Sequence, residues 1–377
     1  MMEFTMFFLV LLSLAFSVFL LWCYLSWKRI PEEVSAYQPP QAKLSLIIAA
    51  RNEEKNILTC LEALIHQDFP EELVELILVD DNSEDDTASL INRFISQHPN
   101  RSVKFVILNE RDGGSKKEAL TIAISKASND TILITDADCI APQTWISSMH
   151  GFFLKKKAVF LAGPVSVNST ESLFGKIQSL EFMGLVGIAA AGISRNKPIM
   201  CNGANLMFSK SMFNEVGGFE APRKFASGDD TQLLIKASKL NRGGVYFLKD
   251  KRAIVSTRGA VSMEDFLQQR KRWAGKIPFA LSSFTVLIAV LAWFTHAFLL
   301  ASLILGTIHG LSPYFILSLG LIYSFEFLLL NSMASFFNKH GILRLILPMQ
   351  LFYWIYIVLI GVIAPLGKFK WKGRTAS

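Results

Sequence analysis

The chain has 377 residues, 51% of them hydrophobic, with 30 Phe and a formal net charge of +7. Its mean hydropathy of +0.36 excludes an ordinary soluble protein. The positive charge does not require nucleic acid: much of it lies beside apolar segments, where anionic lipid attracts it, and no aromatic–basic interleaving marks an RNA or DNA surface.

Residues 4–27 carry no charge and are followed by Lys28 and Arg29. The run is too long for a signal-peptide core and has no basic start or small-residue cleavage site, so it reads as a retained transmembrane anchor over residues 1–28. Positive charge favours the cytoplasmic side, which places residues 30–276 there. A polar linker over 29–42, stiffened by Pro39-Pro40, leads to the next domain. The four cysteines, Cys23, Cys60, Cys139 and Cys201, form no C-x-x-C pair and read as reduced thiols, neither a disulfide framework nor a zinc site.

From residue 44, apolar runs alternate with amphipathic ones. Strands are expected at 44–50, 73–79, 103–108 and 131–135, and helices at 53–66, 86–96, 115–127 and 142–154. Such alternation predicts an α/β layer with a parallel sheet and right-handed crossovers. Ligands bind beyond the carboxyl ends of strands in such sheets, and polar residues gather there. Arg51, Asn52 and Glu53 follow the first strand, and Asp80 and Asp81 the second, with Asn82, Ser83 and Asp85 suited to a turn and helix cap. Gly113-Gly114-Ser115-Lys116-Lys117 precedes a helix without Walker spacing; one of the lysines could reach a diphosphate. The fourth strand ends in Asp136-Ala137-Asp138, two carboxylates on one side of an extended chain, a donor set for a hard divalent cation. Alone, an Asp-x-Asp is more often a turn.

Beyond residue 158 the pattern changes. A strand is expected at 158–167 with Gly163-Pro164 inside it, then a helix at 171–192 whose end is rich in Gly184, Gly187, Ala189, Ala190, Ala191 and Gly192, suited to close helix packing or to room for a long acceptor. Gly203 and Asn205 are candidate pocket residues, and Val216-Gly217-Gly218-Phe219 reads as a turn. Asp229 and Asp230 open a helix over 231–240; about 100° apart, they cannot do the same job, and by themselves they would serve only the helix dipole. Residues 263–276 form a basic amphipathic segment suited to a membrane surface. Apolar segments at 278–305, 313–335 and 345–366 follow, the second carrying Glu326, a functional candidate or an interhelical hydrogen-bond partner. Four spans would put the basic stretch 368–374 outside. Either the last segment is re-entrant or interfacial, with a break at Pro348, or that stretch departs from the charge rule.

Asp80-Asp81, Asp136-x-Asp138, Asp229-Asp230 and Gln269-x-x-Arg272-Trp273, in this order and before membrane spans, resemble the family 2 glycosyltransferases of GT-A fold, in particular the membrane branch of hyaluronan, chitin, cellulose and poly-N-acetylglucosamine synthases and ceramide glucosyltransferases. The resemblance implies a Rossmann-like GT-A domain over 43–260, the interfacial segment over 261–276, membrane helices over 277–366 and a basic tail over 367–377. It implies an enzyme that inverts the anomeric centre, with a UDP-sugar favoured over a GDP-sugar as donor. The acceptor would be a glycan or a lipid, and Mg²⁺ or Mn²⁺ would be required. Asp80 and Asp81 would contact the nucleoside, and Lys116, Asp136, Gln269, Arg272 and Trp273 the donor diphosphate. Asp136 and Asp138 would hold the metal, and Asp230 would be the general base. Asp229 stands where Glu is usual and joins Gly203 and Asn205 as an acceptor-side candidate. A bacterial inner-membrane location with a cytoplasmic catalytic domain is expected, with no nucleic-acid partner and room for self-association or an accessory subunit. An inactive membrane scaffold is the competing reading.

Overall fold

The computed structural model describes residues 2–33, 42–108, 115–168, 171–219, 229–275, 282–364, 369–371 and 374–376. Helix α1 (Met2–Arg29) is followed by the expected alternation: β1 (Leu44–Ala50), α2 (Ile57–Ile65), β2 (Val74–Asp80), α3 (Thr87–Gln97), β3 (Val103–Ile107), α4 (Lys116–Lys126), β4 (Thr131–Asp136) and α5 (Trp145–Lys156). Next come β5 (Phe160–Ala162), β6 (Val165–Val167), α6 (Leu173–Ser194), β7 (Leu206–Ser209), α7 (Lys210–Glu215), α8 (Asp229–Leu240), β8 (Val245–Phe247) and β9 (Val255–Thr257). Helices α9 (Met263–Ala274), α10 (Ser283–His309), α11 (Pro313–Phe337) and α12 (Ile346–Ile363) precede the short strands β10 (Phe369–Trp371) and β11 (Arg374–Ala376). Two compact units result. One holds Pro31–Asn168, Met200–Arg258 and Lys370–Ser377; the other holds Met1–Ile30, Ser169–Ile199 and Gly259–Phe369.

The first unit is built on a seven-stranded sheet in the order β3-β2-β1-β4-β7-β5-β8. The first four strands in this order are parallel. Leu46, Ile47, Ile48, Ile77 and Leu133 are buried, as expected of strands covered on both faces. Register decides where the site can lie. Ala50 stands opposite Asp80 and Ala49 opposite Asp136, so the loops after β1, β2 and β4 leave from one edge. At the other edge the buried Glu75 accepts from Ser45 Oγ (2.5 Å), Ser128 N and Oγ (both 2.8 Å), and pairs with Lys104 (2.5 Å). Burial alone would raise this carboxyl; the Lys104 ammonium and the Ser45 and Ser128 donors hold it down at about 2.

The parallel pairing expected of the first four strands holds, and the sheet becomes mixed beyond them, because β7 runs antiparallel to both β4 and β5. One sequence expectation needs correction here. The strand expected over 158–167 is two strands: β5 stays in the main sheet, while β6 pairs with β9 in a second one. The break falls at Gly163-Pro164. Pro164 has no N–H for a ladder, and a Cβ on Gly163 would lie 2.3 Å from the Asn205 amide. The turn expected at 216–219 is present, with Gly217 and Gly218 at φ of 73° and 54°.

The second unit gathers the apolar helices. Among the described residues, five are long and apolar enough to cross a membrane: Met6–Arg29, Leu173–Ser194, Ser283–His309, Pro313–Phe337 and His340–Ile363. The second of these is α6, and its small residues serve packing: a Cβ on Gly187 would sit 3.1 Å from Met333 Sδ and 3.3 Å from Leu329 Cδ1 of α11. Trp27 of α1 meets Phe336 edge-on at 5.1 Å. Pro348 does not break the last helix. It lies in the first turn of α12, where its missing N–H costs little. Glu326 of α11 accepts from Gln350 Nε2 at 2.5 Å, and Gln350 Oε1 accepts from Trp354 Nε1 at 3.0 Å, which makes the interhelical bond the structural role of Glu326.

Candidate active site

The carboxyl edge of the parallel strands carries two interlocked loops, after β1 and β2, beside the loop after β4. Arg51, buried after β1, donates to the carbonyls of Asp81 (2.7 Å) and Asn82 (2.6 Å) and pairs with Glu84 at 3.0 Å. Asn52 N donates to Ser83 Oγ, and Glu84 N donates back to Asn52 Oδ1. Asp80 and Asp81 are each only 2% exposed. Asp80 is engaged by its own loop, accepting from Ser83 N (3.1 Å) and Ser83 Oγ (2.5 Å). Asp81 N donates to Ala50 O at 2.8 Å, which ties the second loop to the end of β1. Asp85 caps α3 by accepting from Thr87 N and Oγ1.

At β4 the chemistry converges. Lys116, the first residue of α4, donates through Nζ to Asp136 Oδ1. The Gly113-Gly114 pair lies outside the described residues. Asp136, Asp138 and Cys139 bring ligand atoms within 4.8 Å of one another. Two carboxylates suit a hard divalent cation; burial, then Asp136 and Asp138, push the Cys139 thiol up. Because β7 runs antiparallel, the residues just before it return to the end of β4, and Thr135 Oγ1 donates to Ala204 O at 2.8 Å. Gly203 N then donates to Asp230 Oδ2 at 3.0 Å, while Thr231 N donates to Asp230 Oδ1 at 2.9 Å. A Cβ on Gly203 would be 3.4 Å from Asp230 Oδ2 and 3.8 Å from Lys116 Nζ, so the acid of α8 and the lysine of α4 flank the same glycine. The Asp229 side chain lies outside the described residues.

Asn205 does not line a pocket. It is fully buried; its Oδ1 accepts from Trp145 Nε1, and its Nδ2 donates to Pro164 O and Ala253 O, each at 2.9 Å. The amide is spent on joining α5, the β5–β6 break and the segment before β9. An Asn beside a glycine at a sheet edge carries no sequence sign of which way it points.

Gln269, Arg272 and Trp273 lie on α9, in the second unit, and are half-buried. Arg270 between them is the buried one, paired with Glu181 of α6 at 2.5 Å. Sequence reasoning passed over this pair. Its signal was a single acid, Glu181, near the middle of an apolar helix, where an ionised group needs a partner.

Residues 45–217 match the family described as Glycosyl transferase family 2. These residues are a family 2 glycosyltransferase domain. The chain is 27% identical over 236 residues to a probable glycosyltransferase, YdaM, of Bacillus subtilis, covering 62% of this chain and 54% of that one. It is 29% identical over 176 residues to a poly-beta-1,6-N-acetyl-D-glucosamine synthase of Staphylococcus epidermidis, covering 46% of this chain and 41% of that one. The chain thus spans about half, or less, of the length of these relatives. A solved structure, the mannosyltransferase PcManGT of Pyrobaculum calidifontis in complex with GDP-Man and Mn²⁺, superposes with a TM-score of 0.62 at 19% identity, covering 96% of this chain and 99% of that one. The fold of the glycosyltransferase domain is of the GT-A type, a mixed sheet flanked in sequence by apolar helices.

Proposed function

We propose that this chain is an inverting glycosyltransferase that moves a sugar from a nucleotide-sugar donor to a glycan or lipid acceptor, at the cytoplasmic face of a bacterial inner membrane. One observation carries the reading: Lys116, Asp136, Asp138 and Asp230 meet at the carboxyl end of β4. Asp80 and Asp81 bind the nucleoside; Lys116, Asp136, Gln269, Arg272 and Trp273 bind the diphosphate. Asp230 is the general base, its carboxylate oriented by the N–H groups of Gly203 and Thr231. It takes the acceptor hydroxyl proton as the hydroxyl oxygen bonds to the anomeric carbon and the carbon–phosphate oxygen bond breaks. The bonding pair leaves with the nucleoside diphosphate, and the single displacement inverts the centre. Lys116 and Arg272 meet the charge that develops on the leaving oxygens. Mg²⁺ or Mn²⁺ held by Asp136 and Asp138 would add Lewis-acid stabilisation of the same oxygens. Metal use is supported by the two-carboxylate donor set and by the Mn²⁺ named with the Pyrobaculum enzyme. A UDP-sugar is the donor the motif resemblance favours, and a GDP-sugar is the one named with the mannosyltransferase.

The test uses the purified chain in lipid with Mg²⁺ or Mn²⁺ and a panel of UDP- and GDP-sugars, reading nucleoside diphosphate release and then the labelled product. Label in an organic extract identifies a lipid acceptor, and label in a large water-soluble or insoluble product identifies a polymer. No release from any donor, with or without candidate acceptors, would overturn the enzyme reading in favour of a scaffold.

A further inference from the structure

Helix α9 buries an arginine inside its motif. Arg270 is 3% exposed and Glu181, its partner on α6, is 6% exposed. The guanidinium donates through Nε to both Glu181 oxygens at 3.2 Å and through Nη2 to Oε2 at 2.5 Å. Phe266 and Trp273, one turn to either side, close over it with ring centroids 4.4 and 4.2 Å from Cζ. Tyr356 of α12 stands within hydrogen-bonding reach of both charges and packs with Phe266 in one apolar cluster. Gln178 of α6 adds a second tie just before α9, exchanging hydrogen bonds with the backbone of Ala260 at 2.8 and 3.0 Å.

Net stability does not account for such a pair. Desolvating two charges costs about what their attraction returns, and an apolar pair of similar volume does as well. What the pair does supply is orientation. Arg270 Nη1 also donates to Gln269 Oε1. With its oxygen engaged, Gln269 has the amide N–H groups left to offer a ligand. The same guanidinium holds one face of Trp273, whose ring also approaches Phe182 at 6.2 Å. One buried cation therefore sets both of its motif neighbours.

We propose that Glu181 and Arg270 are a positioning pair for the α9 motif: locked to α6, Arg270 presents Gln269 as a hydrogen-bond donor and Trp273 as a fixed ring toward a nucleoside diphosphate. This rests on the assignment of Gln269, Arg272 and Trp273 to the donor diphosphate made above.

The experiment uses the full chain in lipid nanodiscs, with Mn²⁺ and UDP- and GDP-sugars, comparing Glu181→Gln, Arg270→Lys and Arg270→Met with wild type. A misplaced motif loses stabilisation of the departing diphosphate more than ground-state binding. The expected result is a kcat lowered about 10–100-fold in Glu181→Gln with donor KM within about threefold. Arg270→Lys, which keeps the charge but not the fork, recovers part of what Arg270→Met loses. Hydrogen exchange over residues 263–274 speeds up in all three variants while α10 and α11 keep their protection. A purely structural pair gives a different pattern, with lowered thermal stability and an unchanged kcat per folded molecule, and that pattern overturns the proposal. If wild type releases nucleoside diphosphate from no donor, the functional reading fails by itself. Exchange then tests the pair alone: unchanged protection of 263–274 in Glu181→Gln sinks it, and selective loss there sustains it.

Discussion

Asp230 has both carboxylate oxygens held by backbone N–H groups, at 3.0 and 2.9 Å. Asp230→Asn keeps a carbonyl oxygen for one of these bonds and removes the proton acceptor. Turnover is expected to fall at least about 10²-fold, the usual worth of a general base. Nucleoside diphosphate binding, measured by calorimetry, should stay within about threefold of wild type, since the change spares the ligand charges. Transfer at the normal rate by this variant would remove the assignment. His150 behaves differently because no reaction uses it. It is 1% exposed on α5, edge-on to Phe69 at 5.1 Å, with no hydrogen-bond partner for Nε2. Burial lowers its pKa from 6.5 to about 4. The unfolded chain therefore takes up this proton first, and stability is lost as pH falls from 6.5 through 4, by up to roughly 3 kcal/mol. Glu75, held at about 2, acts below that window, losing its contribution as pH falls from 4.5 through 2. Unfolding midpoints followed from pH 7 to 4.5 should drop steeply in wild type and more gently in His150→Phe; parallel curves would show that His150 is not the group responsible.

Among elements, the joint around Asn205 links four pieces of chain that the sequence treats separately. Asn205→Ala strands the Trp145 indole N–H and the Ala253 carbonyl, each costing about 1–3 kcal/mol when buried without a partner, while the Pro164 carbonyl keeps its bond from Val255 N. Thermal unfolding should shift down by several degrees or more, with any activity loss following the unfolded fraction. A stable, inactive Asn205→Ala protein would instead return this residue to the pocket. The contrast with Asp136 and Asp138 explains what was legible beforehand. Parallel strands announce themselves by apolar runs, so the strands β1, β2 and β4, their parallel pairing and the acids that follow them were readable. Strands of three or four residues, such as β5 to β9, leave no periodic signal, and β7 owes its direction to a long return through α6. Arg270 was passed over and Asn205 read toward a pocket for the same reason: residue type fixes what a side chain can bond, and only tertiary placement fixes what it meets.

For the whole molecule, the division into two units constrains how the chain meets a bilayer. Helix α6 has 22 residues and is about 33 Å long, enough to cross a membrane. Yet β6 before it and β7 after it belong to the same compact unit, and β7 pairs with β4 and β5. A single crossing would divide that unit between two compartments, so we expect α6 not to carry the chain across. Helices α1, α10, α11 and α12 remain, the four spans read from the sequence. Residues Lys370–Ser377 also group with the sheet unit, and three crossings after Arg258 would leave them on the far side. If these residues stay with the sheet unit, an even number is needed, and we propose that one of the last three helices enters and leaves on one face. We expect this to be α12, which has 18 residues against 27 in α10 and 25 in α11, follows a short 3₁₀ turn, and carries Gln350 to Glu326. That arrangement also returns the basic residues 368–374 to the side where positive charge is favoured. Single cysteines placed at Ser89, Leu311 and Thr375 in a Cys201→Ser background, which removes the half-buried native thiol, can be probed with an impermeant maleimide in oriented vesicles. Ser89→Cys and Thr375→Cys should label from one side and Leu311→Cys from the other. Labelling of Thr375→Cys together with Leu311→Cys would instead require α12 to cross fully and residues 370–377 to leave the sheet unit.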